Sequence, residues 1–221
     1  MRGSGRLSSA IRQARILKYR ALSDCARVSG KPVVLQPLLL LGKGAVSFGR
    51  EVEFGWPTSM QFYSGYCHVE ASTPHAKIEF GDGVQVNNNA FIKSEGPGIR
   101  IGARSLIGSG VEILDSDFHE LHPERRRGGK PQMGAVELEE NVFVGDGAKI
   151  LKGVRIGAHS VIGAGSVVSK SIPAGVIAAG NPARVIGDVP LEHVHGQHPL
   201  PGSENWQIQL RVENPEPSAV E

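Results

Sequence analysis

The apolar positions of residues 136–168 do not follow the spacing of a helix. Leu138, Val144, Ile150, Ile156, Ile162 and Val168 recur at every sixth residue without a gap. Two residues before each stands a smaller second series: Val136, Val142, Ala148, Val154, Ser160 and Ser166. Ile101, Ile107 and Ile113 keep the same step, as do Phe80, Val86 and Ile92, and Phe48 and Phe54 hint at a further block. Gly145, Gly157 and Gly163 each follow a residue of the large series. Six residues are too few for a helix pair and too regular for a β-sandwich. The pattern predicts very short strands joined by tight turns, wound into a parallel β-helix in which each coil buries its inner face only against its neighbours. The predicted fold class is therefore all-β.

The register breaks once on a large scale, between Ile113 and Leu138, in "LDSDFHELHPERRRGGKPQMGAVE". The stretch is polar, and Gly128, Gly129 and Pro131 prevent a long element. It reads as one long loop, 114–135, expelled from an otherwise continuous stack; long loops on rigid scaffolds are common seats of function. It also gathers Asp115, Asp117, His119, Glu120, His122, Glu124 and the run Arg125–Arg127.

Upstream, Ile11, Ile16, Leu17 and Leu22 have roughly helical spacing among Arg12, Arg15, Lys18 and Arg20. They predict a short basic amphipathic helix, starting at Ser8 or Ser9 and ending before Gly30. Such a helix caps the first coil, or touches an anionic membrane surface or charged partner; nothing in the sequence decides between these. The organisation expected is a helical segment at 1–30, the solenoid at 31–187 and a polar tail at 188–221. In the tail, "WQIQLRV" alternates like a strand. His193, His195 and His198 there read as part of a flexible tail, or of a strand on a neighbouring subunit, rather than as a metal site.

Composition narrows the picture. Of 221 residues 40% are hydrophobic and 21% charged, with a net charge of +2, which gives no general case for nucleic acid. Twenty-nine glycines beside 7 Phe, 3 Tyr and 2 Trp suit tight repeated turns. Cys25 and Cys67 stand far apart and form no C-x-x-C, so a reduced cytoplasmic setting is expected. The longest apolar run, Leu38–Leu41, is too short to span a bilayer, and no secretory signal is recognisable.

The segments "VQVNNNAFI" (84–92), "DSDFHELHPERR" (115–126), "NVFVGDGAKILKGVRIGAHSVIGAGSVVSKSIPAG" (141–175) and "GNPARVIG" (180–187) resemble the hexapeptide-repeat acyltransferases. Within them the chain is similar to the branch of galactoside, maltose and polysaccharide O-acetyltransferases. The resemblance implies a left-handed parallel β-helix, a triangular prism that assembles as a homotrimer. It implies acetyl-CoA as acyl donor, lying in a groove between adjacent subunits, and no metal. The acceptor would be a carbohydrate or nucleotide-sugar hydroxyl, in surface-polysaccharide or O-antigen synthesis.

The roles implied are specific. His119 matches the general base of the galactoside acetyltransferase pattern, and His122 does not. A neutral imidazole can take the proton of a sugar hydroxyl as it attacks the thioester. Asn88 matches an acceptor-contacting Asn, with an Asn ladder in the solenoid turns as the structural alternative. Asp117, like Asp115, flanks the base and could bind acceptor hydroxyls or orient the imidazole. At the place of a further acceptor-binding Asp this chain reads "SEGPGI", with Glu95 the nearest carboxylate, so a simple galactoside acceptor is in doubt. The turn Gly145–Asp146 would offer backbone N–H groups to the oxyanion. Ser169, Lys170 and Arg184 match phosphate-contacting positions for CoA. Ala164, between Gly163 and Gly165, would let the pantetheine arm lie near the backbone, as would Ala178 to Gly180. Arg125–Arg127 form either a solvated face or an attraction for an anionic acceptor. An N-acetyltransferase of amino sugars, a xenobiotic acetyltransferase and a non-catalytic scaffold stay open as alternatives. A gamma-type carbonic anhydrase holds zinc with histidines five apart, whereas His119 and His122 are three apart.

Overall fold

The computed structural model describes residues 4–25 and 27–190; Trp206 and the tail histidines lie outside the described residues. A helix, α1 (Ser4–Leu22), precedes the strands. The first coil is β1 (Arg27–Ser29), β2 (Val33–Val34) and β3 (Leu38–Leu41). The second is β4 (Ala45–Phe48), β5 (Glu53–Phe54) and β6 (Cys67–Ala71), and the third β7 (Lys77–Phe80), β8 (Gln85–Val86) and β9 (Phe91–Ser94). β10 (Ile99–Ile101), β11 (Leu106–Ile107) and β12 (Glu112–Leu114) make the fourth coil. β13 (Val136–Leu138), β14 (Phe143–Val144) and β15 (Lys149–Ile150) make the fifth, and β16 (Arg155–Ile156), β17 (Val161–Ile162) and β18 (Val167–Val168) the sixth. β19 (Val176–Gly180) and β20 (Ala183–Asp188) close the stack as an antiparallel pair.

Strands at equivalent places in successive coils pair in parallel, giving three sheets. Sheet A holds the first strand of each coil, sheet B the second and sheet C the third. The chain therefore turns at an A/B edge, a B/C edge and a C/A edge in every coil. The register is one to one: Ile78, Ile99 and Val136 align in sheet A, and Val86, Ile107, Val144 and Ile162 in sheet B.

The core follows from the six-residue step. Both predicted series point inward: Leu138, Val144, Ile150, Ile156, Ile162 and Val168 are buried, and so are Val136, Val142, Ala148, Val154, Ser160 and Ser166. Each large side chain stacks on its copy one coil away, which removes from water an apolar surface that a single coil could not hide. Phe48, Phe54 and Phe80 fill the second and third coils as a ring cluster, with centroids 5.1–5.8 Å apart.

Two features differ from the sequence expectation. The helix begins earlier than predicted, at Ser4, and ends before Gly30 as expected, at Leu22, where the chain is captured by the first coil: Ser23 Oγ donates to Tyr19 O (2.9 Å) and accepts from Leu40 N–H (2.9 Å), and Asp24 N–H donates to Leu40 O (3.0 Å). The helix packs on β3, and Arg15 donates to the carbonyls of Phe62 and Gly65. The second difference is that the solenoid expels two loops. Besides 115–135, residues 55–66 leave the stack between β5 and β6.

Candidate functional site

The long loop leaves at the C/A edge of the fourth coil. Its neck is tied by a Ser116–Met133 bridge, Asp117 N–H to Gln132 O (3.0 Å) and Gly134 N–H to Asp115 O (2.9 Å). Asp115 is fully buried, and its carboxylate accepts from Ser94 Oγ (2.6 Å) and the N–H groups of Glu95 (2.9 Å), Gly96 (3.2 Å) and Gly98 (3.0 Å). It therefore anchors the loop to the turn of the preceding coil. The tip is a 3-10 turn, Pro123–Arg125, closed by Gly129 N–H to Arg125 O (2.7 Å) and an Arg125–Glu120 ion pair.

His119 stands exposed on this loop. Its Nδ1 lies 3.0 Å from the carbonyl oxygen of Arg126. A carbonyl only accepts, so Nδ1 carries the hydrogen, and in the neutral ring Nε2 is then the nitrogen with the lone pair. The residue before it, Phe118, has a φ of 60° and lies under Lys93, whose Nζ is 5.1 Å from the ring centroid. Asp117 does not touch the imidazole: Oδ1 pairs with Lys152 Nζ at 2.8 Å, and Oδ2 is buried with no hydrogen-bond partner. Register puts Lys152 beneath Lys170 at the same edge, since Lys149 and Ile150 align with Val167 and Val168. Ser169 and Lys170 are exposed there.

The remaining predicted residues lie at the B/C edge. Gly145 is buried, and its N–H is committed to Ile162 O (2.8 Å). The N–H of Asp146 has no partner among the described residues, so it is the donor this turn leaves open. Asp146 Oδ1 accepts from Ser109 N–H at 2.7 Å. Ala164 is exposed one coil above, and Gly165 N–H donates to Asp146 O (2.8 Å). Arg184 is exposed on β20, with a guanidinium nitrogen 2.9 Å from the Ala183 carbonyl.

Asn88 is at this edge too, but it is fully buried. Its Oδ1 accepts from Trp56 N–H (2.9 Å), and its Nδ2 donates to the carbonyls of Trp56 (3.0 Å), Ser59 (3.2 Å) and Met60 (3.0 Å). The carboxamide is spent on pinning loop 55–66 to the solenoid. That loop walls a cavity of about 310 Å³ on the outer face of sheet B, lined among others by Glu53, Trp56, Gln85, Asn87, Phe143 and Asp146. Sequence reasoning missed Glu53, Trp56 and Gln85. The available signal was the loss of the six-residue step directly after Phe54, at "GWP".

Thus the candidate residues of one chain fall into two groups. His119, Asp117, Ser169 and Lys170 belong to the C/A edge; Gly145, Asp146, Ala164 and the cavity belong to the B/C edge, separated by the width of sheet C.

Residues 135–170 match the family described as bacterial transferase hexapeptide (six repeats). The galactoside O-acetyltransferase of Lactococcus lactis is 41% identical over 108 residues, 49% of this chain and 51% of that protein. The galactoside O-acetyltransferase of Escherichia coli is 38% identical over 114 residues, 52% of this chain and 55% of that protein. The chain thus spans about half the length of the curated relatives it matches. Among solved structures, a hexapeptide-repeat acetyltransferase of Vibrio cholerae complexed with acetyl coenzyme A superposes with a TM-score of 0.50 at 26% identity, covering 84% of both chains. Residues 135–170 thus carry the bacterial transferase hexapeptide repeat, and the chain as a whole is similar to hexapeptide-repeat acetyltransferases, with the left-handed parallel β-helix as its fold.

Proposed function

We propose that this protein is an acetyl-CoA-dependent O-acetyltransferase acting on a sugar hydroxyl. The observation that carries the reading is His119: the Arg126 carbonyl engages Nδ1, so Nε2 is the ring nitrogen left open on the loop. Nε2 takes the acceptor proton as the hydroxyl oxygen attacks the thioester carbonyl. The tetrahedral oxyanion accepts from the N–H of Asp146, whose own carboxylate is drawn toward Ser109. Collapse breaks the C–S bond, and the thiolate recovers the proton from the imidazolium. Ser169, Lys170 and Arg184 are exposed donors suited to the phosphates of CoA.

Because the two groups lie on different edges, the reading includes a homotrimer in which His119 of one copy meets the B/C edge of the next. The outer face of sheet B supports this. Leu106, Phe143, Val161 and Ile177 form an apolar row in register, whereas the outer row of sheet A is Arg100, Glu137 and Arg155. A cytoplasmic role in surface-polysaccharide synthesis fits the sugar O-acetyltransferase relatives. No described helix is long and apolar enough to cross a membrane.

The test is acetyl-CoA-dependent thiol release with a panel of sugars. His119→Ala is expected to lower kcat by about 10²–10⁴-fold while leaving acetyl-CoA affinity unchanged. Full turnover by His119→Ala would remove the base from this account.

A further inference from the structure

We infer that α1 and the open end of the first coil form a docking surface for an anionic lipid bilayer. The inference goes beyond acetyl transfer and does not rest on it. The helix caps the stack with one face only. Ile16 lines a cavity against Val34, Leu38 and Leu40, Tyr19 packs on Tyr66 with ring centroids 4.5 Å apart, and Arg15 donates to the carbonyls of Phe62 and Gly65. The opposite face is apolar. Leu7, Ile11, Ala14 and Leu22 follow helical steps and make one stripe, with Leu17 at its side. Leu7, Leu17 and Leu22 are more than half exposed, and Ile11 is 48% exposed. A capping element of a repeat stack normally has a polar outer face; this one presents leucines. The end of the core is open as well. Val28 aligns with the buried Val46, yet it is 40% exposed, because no coil lies beneath it.

Charge identifies the occupant. Residues 4–49 hold eight of the 24 Lys and Arg but only one of the 22 Asp and Glu, Asp24. The helix itself carries no carboxylate. None of the cations from Arg12 to Lys43 forms an ion pair among the described residues, and Arg20 and Lys31 line the cavity at the open end. A second copy of this surface would bring like charge against it. A protein partner that buried the stripe would also bury Lys18, which stands on it one turn from both Ala14 and Leu22. At a bilayer the Lys18 stem lies along the acyl boundary while its ammonium stays among the phosphates, and the leucines enter beside it.

The trimer proposed above uses other coils. The outer row of sheet B is apolar from Leu106 in the fourth coil onward, but Glu53 and Gln85 occupy it in the second and third. Two polar coils therefore separate that row from the first coil. A threefold axis also sets equivalent points at one height, so three copies of α1 stand on one side of the assembly and meet a flat surface together.

The experiment is co-flotation of the full chain with vesicles of phosphatidylcholine alone and of equal parts phosphatidylcholine and phosphatidylglycerol, at low and high salt. The double variants Lys18→Gln/Arg20→Gln and Ile11→Ser/Leu22→Ser change exposed side chains, and thermal unfolding checks that each is folded. The expected result is partition onto the anionic vesicles at least about tenfold stronger than onto phosphatidylcholine, and weakened by salt. Each double variant should lower that partition about tenfold or more, whereas the charge-conserving Lys18→Arg/Arg20→Lys should keep it. The inference is overturned by equal partition onto the two vesicles, by absence of the folded chain from anionic vesicles at low salt, or by partition indifferent to either double variant. It is equally overturned if Ile11→Ser/Leu22→Ser shifts the oligomeric state in sedimentation while vesicle binding is unchanged, which would assign the stripe to a contact between copies.

Discussion

At the scale of single residues, polar groups in this molecule divide into those the fold consumes and those it leaves free. Asn88, Asp115 and Asp117 are all polar residues close to candidate loops, and sequence gave each a functional alternative. The structure separates them by satisfaction. Asn88 and Asp115 are fully buried and engaged with backbone, whereas Asp117 retains a buried oxygen with no partner. Which of the three consecutive asparagines, Asn87–Asn89, turns inward depends on a one-residue phase that composition does not reveal. The place of His119 on the expelled loop was legible from the break in the repeat; its contact with the Arg126 carbonyl was not, being a backbone contact seven residues away. Replacing Asn88 with Ala leaves loop backbone groups without their partner and should cost about 2–4 kcal/mol. Urea unfolding would measure that cost, and hydrogen exchange should show lost protection at the Trp56 amide. A second prediction concerns acid. Burial pushes the Glu70 carboxyl up, but hydrogen bonds from Ser72, His68 and Lys93 outweigh it and hold the group below its ordinary value. A depressed carboxyl stabilises the fold above the unfolded pKa and loses that contribution as pH falls through the folded one. The melting-temperature gap between the native protein and Glu70→Gln should therefore be present at neutral pH and close as pH drops below about 4.3. A gap independent of pH would contradict this.

At the scale of elements, the six-residue step was fully legible because it is a packing rule repeated along the chain. Every member of the two inward series from 136 to 168 is buried. The second loop was missed because "GWPTSMQFYSGY" is rich in aromatics and carries no charge, so that only the loss of the six-residue step at "GWP" marked it as an excursion. The C-terminal end of the helix was set by contacts to Leu40 that lie outside the local pattern. The glycines after the large positions gain a reason from the coil spacing. A Cβ on Gly145 would sit 2.6 Å from Ala164 N and 2.9 Å from its Cα, backbone that cannot swing aside. Gly147, two residues on, meets nothing within 4 Å but holds a φ of 67°. Gly145→Ala should thus cost about 2 kcal/mol or more through steric conflict, and Gly147→Ala about 1–2 kcal/mol through backbone strain. Gly147→Asn should recover part of the latter, because Asn89 and Asn141 already adopt φ of 59° and 55° in equivalent corner turns. Thermal unfolding of the three variants checks the ranking, and recovery by Gly145→Asn as well would refute the distinction.

At the scale of the whole molecule, the account predicts that a folded monomer is incomplete. His119 and the cavity face different edges, and Leu106 and Phe143 of the apolar row on sheet B stay exposed among the described residues. Sedimentation should show a trimer, and charged substitution at Val161 or Ile177 should shift it toward smaller species with loss of turnover. The central claim, dependence on acetyl-CoA, needs no acceptor to be tested. The measurement is a calorimetric titration of acetyl-CoA into the native protein and into Lys170→Ala and Arg184→Ala. The account predicts binding in the range of about 1 μM to 1 mM, weakened in both variants and retained in His119→Ala. A folded protein that gives no heat at millimolar acetyl-CoA, or binding indifferent to Lys170 and Arg184, would contradict it.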